Sequence, residues 1–317
     1  MAVAPRLLVL RALGLGDLLT AVPALRGLRR AYPHHRIELA APRALEPLAL
    51  HTGAVDAVVD AAGLAPLPVS VAGADLAVNL HGCGPQSHRR LLEREPRRLV
   101  AFAHRAVPES ADGPRWRDDE HEVARWCRLL VECGIGADPA DLRLARPPGL
   151  RDPALTVIHP GAASGARRWP ADRWARVAAA EWRRGHRVVV TGSAAEGRLC
   201  TAIARAAGLP ADAVAAGETD ALGLLRLVAA AGRVACADTG VAHVATAVGT
   251  PSVVLFGPTP PALWGPPADP RHVVLWEGTR GDPHATEPGP GLLAIGVDDV
   301  LGALSALDAV SPELAAR

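Results

Sequence analysis

A chain of 317 residues, 49% of them hydrophobic, can bury the cores of two ordinary α/β domains. Its net charge of +1, with no long basic run, leaves no footprint for nucleic acid, and all 34 basic residues are arginine, so no Schiff-base lysine exists. Cys83, Cys127, Cys133, Cys200 and Cys236 follow no C-x-x-C spacing, which argues against a disulfide framework or zinc site and for a reducing, cytoplasmic setting.

The amino-terminal apolar run is interrupted by Arg11 too early for a signal peptide, and no stretch approaches the ~20 apolar residues of a membrane span. Strand patterns follow at 7–12, 36–41, 54–60, 75–80 and 99–103, with helical patterns near 17–31, 42–50, 85–93 and 120–133. Such alternation predicts a parallel sheet covered on both faces.

Between the first strand and helix lies Leu13-Gly14-Leu15-Gly16-Asp17-Leu18-Leu19. Leu19 stands where a dinucleotide fingerprint needs its third glycine, and no acidic residue closes the second strand, so a nicotinamide cofactor is disfavoured. The glycine turn holds one carboxylate, Asp17, at the start of a helix. It is either a helix cap or, set across a cleft from a phosphate-binding corner, a general base. His34, His35, His51, His88 and His121 lie on polar stretches, whereas His81 ends a strand and could line the cleft.

Proline and glycine accumulate at 145–153, the expected linker between a first domain, 1–148, and a second, 154–296. The second half predicts strands at 156–159, 187–191, 213–216, 234–237, 253–256 and 272–276, and helices at 171–184, 194–207, 220–231, 241–248 and 297–307. Residues 281–291 read as an exposed loop before the last helix. Two doubly wound domains facing across a cleft follow from this pattern.

Four strand ends of the second half carry polar motifs. After the strand at 156–159 comes His159-Pro160-Gly161, then Ser164, Arg167 and Arg168 before a helix opened by Pro170. Small residues let amides face a phosphate, and a guanidinium can grip two of its oxygens; a solvated arginine pair is the plainer alternative. Trp169 and Trp174 read as packing residues. Thr191-Gly192-Ser193 and Glu218-Thr219 end two more strands; they could meet a ribose, base or phosphate, or simply cap helices. The most specific stretch runs from Arg233 to Pro266, where Asp238-Thr239-Gly240 opens a small-residue helix that Gly249-Thr250-Pro251 closes. The amides of a first helical turn suit a diphosphate, Gly240 allows close approach, Thr239 can cap the helix, and His243 sits one turn in. Asp238 would repel phosphate, so hydroxyls are its better partners. A carboxylate for hydroxyls beside amides for phosphates describes a sugar nucleotide, while ordinary capping remains the alternative.

Together these motifs resemble glycosyltransferase family 9, the heptosyltransferases that use ADP-heptose. The resemblance is carried by Gly14-Leu15-Gly16-Asp17 with Pro23-Ala24-Leu25, His159-Pro160-Gly161 with Arg168-Trp169-Pro170, Asp238-Thr239-Gly240 with His243, Gly249-Thr250-Pro251 and Leu255-Phe256-Gly257-Pro258-Thr259. It implies a GT-B fold, an acceptor-binding first domain, a donor-binding second domain, and transfer with inversion and without a metal or other cofactor. It also implies that the last helix, within 297–317, crosses back to the first domain. By the same resemblance Asp17 is the base, Asp238 meets the donor sugar, and Thr239 and Gly240 contact the diphosphate. Arg168 stands where many members place a lysine, which keeps the charge but removes a proton donor. The expected partners are a nucleotide-sugar donor and a glycan, glycolipid or small-molecule acceptor. Peripheral contact with the inner membrane is compatible with this, as is a monomer or weak oligomer. A sugar-nucleotide epimerase or hydrolase of the same architecture, or a non-catalytic nucleotide-sugar-binding protein, are the competing readings.

Overall fold

The computed structural model describes the backbone of residues 4–314 and side chains as far as Asp308. It divides into two compact units, Met1–Leu144 and Ala145–Arg317. The division falls at the start of the expected linker, and the first strand of the second unit begins four residues earlier than its sequence pattern suggests.

Unit 1 runs β1 (Arg6–Leu10), α1 (Leu15–Ala31), β2 (Arg36–Ala41), α2 (Glu46–His51), β3 (Ala57–Asp60), β4 (Leu76–Asn79), α3 (Gln86–Leu92), β5 (Leu99–Val100) and α4 (Glu122–Glu132). Its five strands are all parallel, in the order β3-β2-β1-β4-β5. Central β1 is buried from Leu7 to Leu10, as strands covered on both faces must be. Every expected strand is present, and four of the five are shorter than their sequence pattern. The strand expected at 99–103 leaves the sheet after Val100, because Ala103 N–H turns to Pro114 O and Gly113 packs on the Ala101 carbonyl. The helix expected at 42–50 becomes a 3₁₀ turn at 43–45 followed by α2, whose first turn accommodates Pro47.

One histidine reading is corrected. His88 is fully buried, with Nε2 donating to Phe102 O at 2.7 Å and Nδ1 accepting from Asn79 Nδ2 at 3.0 Å. Burial, ahead of any partner, lowers its affinity for a proton, which suits this neutral tautomer.

Unit 2 runs β6 (Asp152–His159), α5 (Ala171–Arg183), β7 (Arg187–Gly192), α6 (Gly197–Ala206), β8 (Val214–Ala216), α7 (Ala221–Ala230), β9 (Ala231–Ala237), α8 (Gly240–Val248), β10 (Ser252–Leu255), α9 (Pro261–Trp264), β11 (His272–Leu275), α10 (Pro290–Ala294) and α11 (Val297–Leu314). Its six strands are also parallel, in the order β11-β10-β9-β6-β7-β8. Helix α5 packs with α6 and α11, and α7 packs with α8. Trp169 and Trp174 meet edge-to-face at 4.9 Å in the core, and Trp169 Nε1 donates to Ile295 O. Gly249 ends α8 in the left-handed region at φ 68°, which glycine adopts without a Cβ clash.

One expectation changes here. Within unit 2, Val300, Leu304 and Leu307 of α11 fill the core, and Arg233 donates to Leu304 O and pairs with Asp308. Residues 315–317 lie outside the described residues. The loop at 281–291 is not simply exposed. Ala166 N–H donates to Ala285 O at 2.8 Å and Ser164 Oγ to Pro283 O at 2.6 Å, so this segment is tied down on the loop after β6.

Two close approaches depend on missing side chains. A Cβ on Gly165 would lie 1.6 Å from Thr286 O, and one on Gly232 would lie 2.1 Å from Pro153 O, both backbone atoms that cannot yield locally. Gly165→Ala and Gly232→Ala should each cost about 1–3 kcal/mol of stability. Gly302→Ala, in α11 with open space around its missing Cβ, should stabilise by roughly 0.5–1 kcal/mol. Thermal melts of the three variants against the parent check this ordering.

Candidate functional site

In each sheet the strand order reverses once, between β1 and β4 in unit 1 and between β6 and β9 in unit 2. Beyond the carboxyl ends of such a strand pair the connections leave in opposite directions and open a crevice for ligand. In unit 2 the strands carrying His159 and Asp238 flank that point, with His159 of β6 in register with Cys236 of β9.

Asp238 follows β9, and its carboxyl is nine-tenths buried. Burial pushes its pKa up to about 6, while the Arg167 guanidinium acts in the opposite direction. Arg167 Nη1 lies 3.8 Å from Asp238 Oδ2 and 3.5 Å from Asp238 O, and its Nε contacts Ser164 Oγ at 3.3 Å. Thr239 is the N-cap of α8, but its side chain makes no capping hydrogen bond. It therefore does not cap the helix as its residue type suggested, and the first-turn amides of Gly240 and Val241 have no side-chain acceptor among the described residues. His243, one turn in, is half-buried and meets Trp264 of α9 edge-to-face at 6.0 Å.

The two arginines of the 164–168 loop exchange the emphasis placed on them. A 3₁₀ turn at Gly165–Arg167 directs Arg167 to the end of β9, whereas Arg168, extended beyond the turn, is exposed and donates through Nε to Ala162 O at 2.9 Å. Adjacent residues on a tight turn point in different directions, and only the fold reveals which one meets the carboxylate.

A second group lies at the ends of β6 and β7. His159 is buried with Nδ1 lacking a hydrogen-bond partner among the described residues, and its pKa is lowered, chiefly by burial and against the pull of Glu196. A Cβ on Gly161 would strike the Glu196 carboxylate at 1.9 Å. That carboxylate accepts from Ser193 N–H and Oγ, both at 2.8 Å, a capping interaction that engages Ser193. Thr191 is buried, with its carbonyl facing Cys200 Sγ, and Gly192 O accepts from Gly217 N–H. Glu218 is exposed and Thr219 half-buried, beyond β8 at the sheet edge, where Asp220 caps α7 through Gly223 N–H.

In unit 1, Gly14 is the exposed N-cap of α1, and Asp17 Oδ2 accepts from Gly14 N–H at 3.1 Å. Gly16 is half-buried. The capping alternative thus holds in part, since Asp17 reaches back across the glycine turn. Its side chain remains 27% exposed and lies 3.4 Å from the guanidinium of Arg11, which is itself 1% exposed. Arg11 and its partner Glu122 were not singled out in the sequence; an arginine directly after a four-residue apolar strand core was the available signal. His81, ending β4, has its pKa lowered to about 4 by burial and then by Arg11, so it stays neutral near pH 7.

Among the described residues no three His, Cys, Asp or Glu side chains converge as a metal site, and no helix is long and apolar enough to cross a membrane. All five cysteines are free thiols.

The two parallel sheets are those of the GT-B fold. A family 9 glycosyltransferase from Veillonella parvula superposes with a TM-score of 0.77 at 21% identity, over 97% of this chain and 98% of that one. E. coli ADP-heptose LPS heptosyltransferase II gives 0.74 at 22% identity, over 95% and 98%. E. coli heptosyltransferase WaaC with ADP gives 0.71 at 18% identity, over 95% and 99%. Residues 117–288 match the family model described as glycosyltransferase family 9 (heptosyltransferase), and the chain belongs to that family. A stretch of 118 residues is 35% identical to lipopolysaccharide heptosyltransferase 1 of Pseudomonas aeruginosa; it spans 36% of this chain and 31% of that protein, about a third of its length.

The Asp238 environment sets a pH dependence. Its proton is held more tightly in the folded protein, near pH 6, than in the unfolded chain, near 3.8. The unfolded state therefore binds fewer protons between these values, and ligand-free stability should be highest below pH 4 as far as this group is concerned, falling as pH rises to 6. Two pKa units correspond to at most about 3 kcal/mol. Asp238→Asn should flatten that slope and raise the melting temperature of the ligand-free protein at pH 7.5; thermal melts of both proteins at pH 5 and 7.5 measure the two effects.

Proposed function

We propose that the protein is a metal-independent, inverting glycosyltransferase. It moves a sugar, heptose first among the candidates, from a nucleoside diphosphate to a hydroxyl of a glycan, glycolipid or secondary metabolite. Family membership supports glycosyl transfer, and relatives with ADP and with ADP-2-deoxy-2-fluoro heptose bound support an ADP-linked donor. The match to a lipopolysaccharide heptosyltransferase favours a lipopolysaccharide acceptor and, with it, work at the cytoplasmic membrane face.

The observation that carries the reading is the end of β9. There the α8 amides lack a side-chain cap, Arg167 stands alongside, and Asp238 is buried between strand and helix. In this reading Gly240 and Val241 N–H and the Arg167 guanidinium hold the diphosphate, with Arg168 contributing longer-range charge. Asp238 orients the sugar through its hydroxyls. As the bond from the anomeric carbon to the leaving phosphate oxygen breaks, the gathered charge is met by fixed donors, each worth about 3 kcal/mol in well-built sites. Neither arginine can give up a proton near neutrality, so the diphosphate departs as the anion. In unit 1, Asp17 takes the proton of the attacking hydroxyl and the new bond forms on the opposite face of the sugar.

Asp17→Asn should lower kcat by roughly 10²–10⁴-fold while changing donor affinity less than a few-fold. Steady-state kinetics and calorimetric donor binding measure the two effects, and a kcat within a few-fold of the parent would sink the assignment. Arg167→Gln should weaken ADP binding at least tenfold, and Arg168→Gln by less than threefold. Equal losses would return Arg168 to the site. Thermal shift across ADP-heptose and GDP-, UDP- and dTDP-sugars identifies the donor.

A further inference from the structure

Arg11 is the most confined charged side chain of unit 1. Its Nε donates to Asp17 O at 2.9 Å, Nη1 to Leu80 O at 2.5 Å, and Nη2 to Glu122 Oε1 at 2.9 Å and Thr20 Oγ1 at 3.2 Å. The guanidinium lies over the Trp126 ring at 4.9 Å, and Trp126 Nε1 donates to the same Glu122 Oε1. Glu122 is held from its other oxygen by Arg125, which stacks on Trp116. The guanidinium is thus fixed by β1, the first turn of α1, the end of β4 and α4 together.

Its contact with the Asp17 carboxylate is different in kind. At 3.4 Å from Oδ1 it is longer than a good charge-assisted hydrogen bond, while the shorter bonds go to Glu122 and two carbonyls. A bidentate bridge would occupy both Asp17 oxygens and oppose proton uptake. Glu122 draws the guanidinium away from that geometry and balances its charge, two arginines against two carboxylates. Asp17 is left with one oxygen on Gly14 N–H and a cation beside the other.

We propose that Arg11 is the positioning residue for Asp17, and that Glu122, acting through Arg11, keeps the Asp17 carboxylate steered but free to accept a proton from a substrate hydroxyl. This rests on the reading of Asp17 as the base. Arg11→Lys tests it with the charge retained, because an ammonium cannot reach Asp17 O, Leu80 O and Glu122 with one planar fork. Glu122→Gln tests it from the other side, keeping shape while removing the counter-charge.

Crystal structures of both variants read the carboxylate directly. It should leave the Gly14 N–H in Arg11→Lys and close onto Arg11 as a bidentate pair in Glu122→Gln. With ADP-heptose as donor, and water or an accepting glycan as acceptor, each variant should lose 10- to 100-fold in kcat with donor KM within twofold. In an Asp17→Asn background the same changes should alter the remaining rate less than twofold. An unmoved carboxylate in both variants overturns the proposal, as do equal losses with and without Asp17. Full activity of Asp17→Asn alone would instead remove the base assignment on which the proposal stands.

Discussion

A parallel sheet whose strand order reverses once leaves a polar edge with nothing from its own connections laid across it. Both units of this protein have that constraint, at β1/β4 and at β6/β9, and the polar side chains of interest gather there. The strands between are largely apolar and buried, with Glu38 of β2 and Arg233 of β9 as paired exceptions, so the polar groups open to a ligand gather where the backbone leaves the sheet. Arg11, Asn79 and His81 mark those exits in unit 1, and His159 and Asp238 in unit 2.

The two edges handle charge differently. In unit 1 the buried charges are paired and hydrogen-bonded almost to completion, the condition under which a buried arginine is tolerated at all. Glu122 stays ionised there because Arg11 and Arg125 together outweigh the cost of its burial. In unit 2 Asp238 has one cation at 3.8 Å, and burial prevails. A group held so expensively in the ligand-free state suits a site completed by ligand, since function and maximal stability compete for the same residue.

Tight backbone approaches carry the geometry of unit 2 as much as side chains do. Gly165 and Gly232 let segments meet at distances no Cβ would allow, and the loop after β6 is fixed in part because residues 282–286 rest on it. That support sets the direction of Arg167. The segment is rich in glycine and proline and carries little apolar patterning, which is why it reads as exposed from sequence although its backbone is engaged.

Apolar runs broken by glycine and proline were sufficient to place the strands, the parallel class and the ends of α8, because burial on two faces and the left-handed C′ position leave few residue choices. Spaced motifs were sufficient to indicate the family. Direction, depth and pairing were decided only by the tertiary structure. It selected Arg167 over Arg168 at the carboxylate, buried His88 in a stretch that reads as polar, left Thr239 without a capping bond, and joined Arg11 to a glutamate 111 residues away. Local pattern records what each residue prefers. Which side chains meet, and at what cost in lost water, depends on contacts between segments that no local pattern contains.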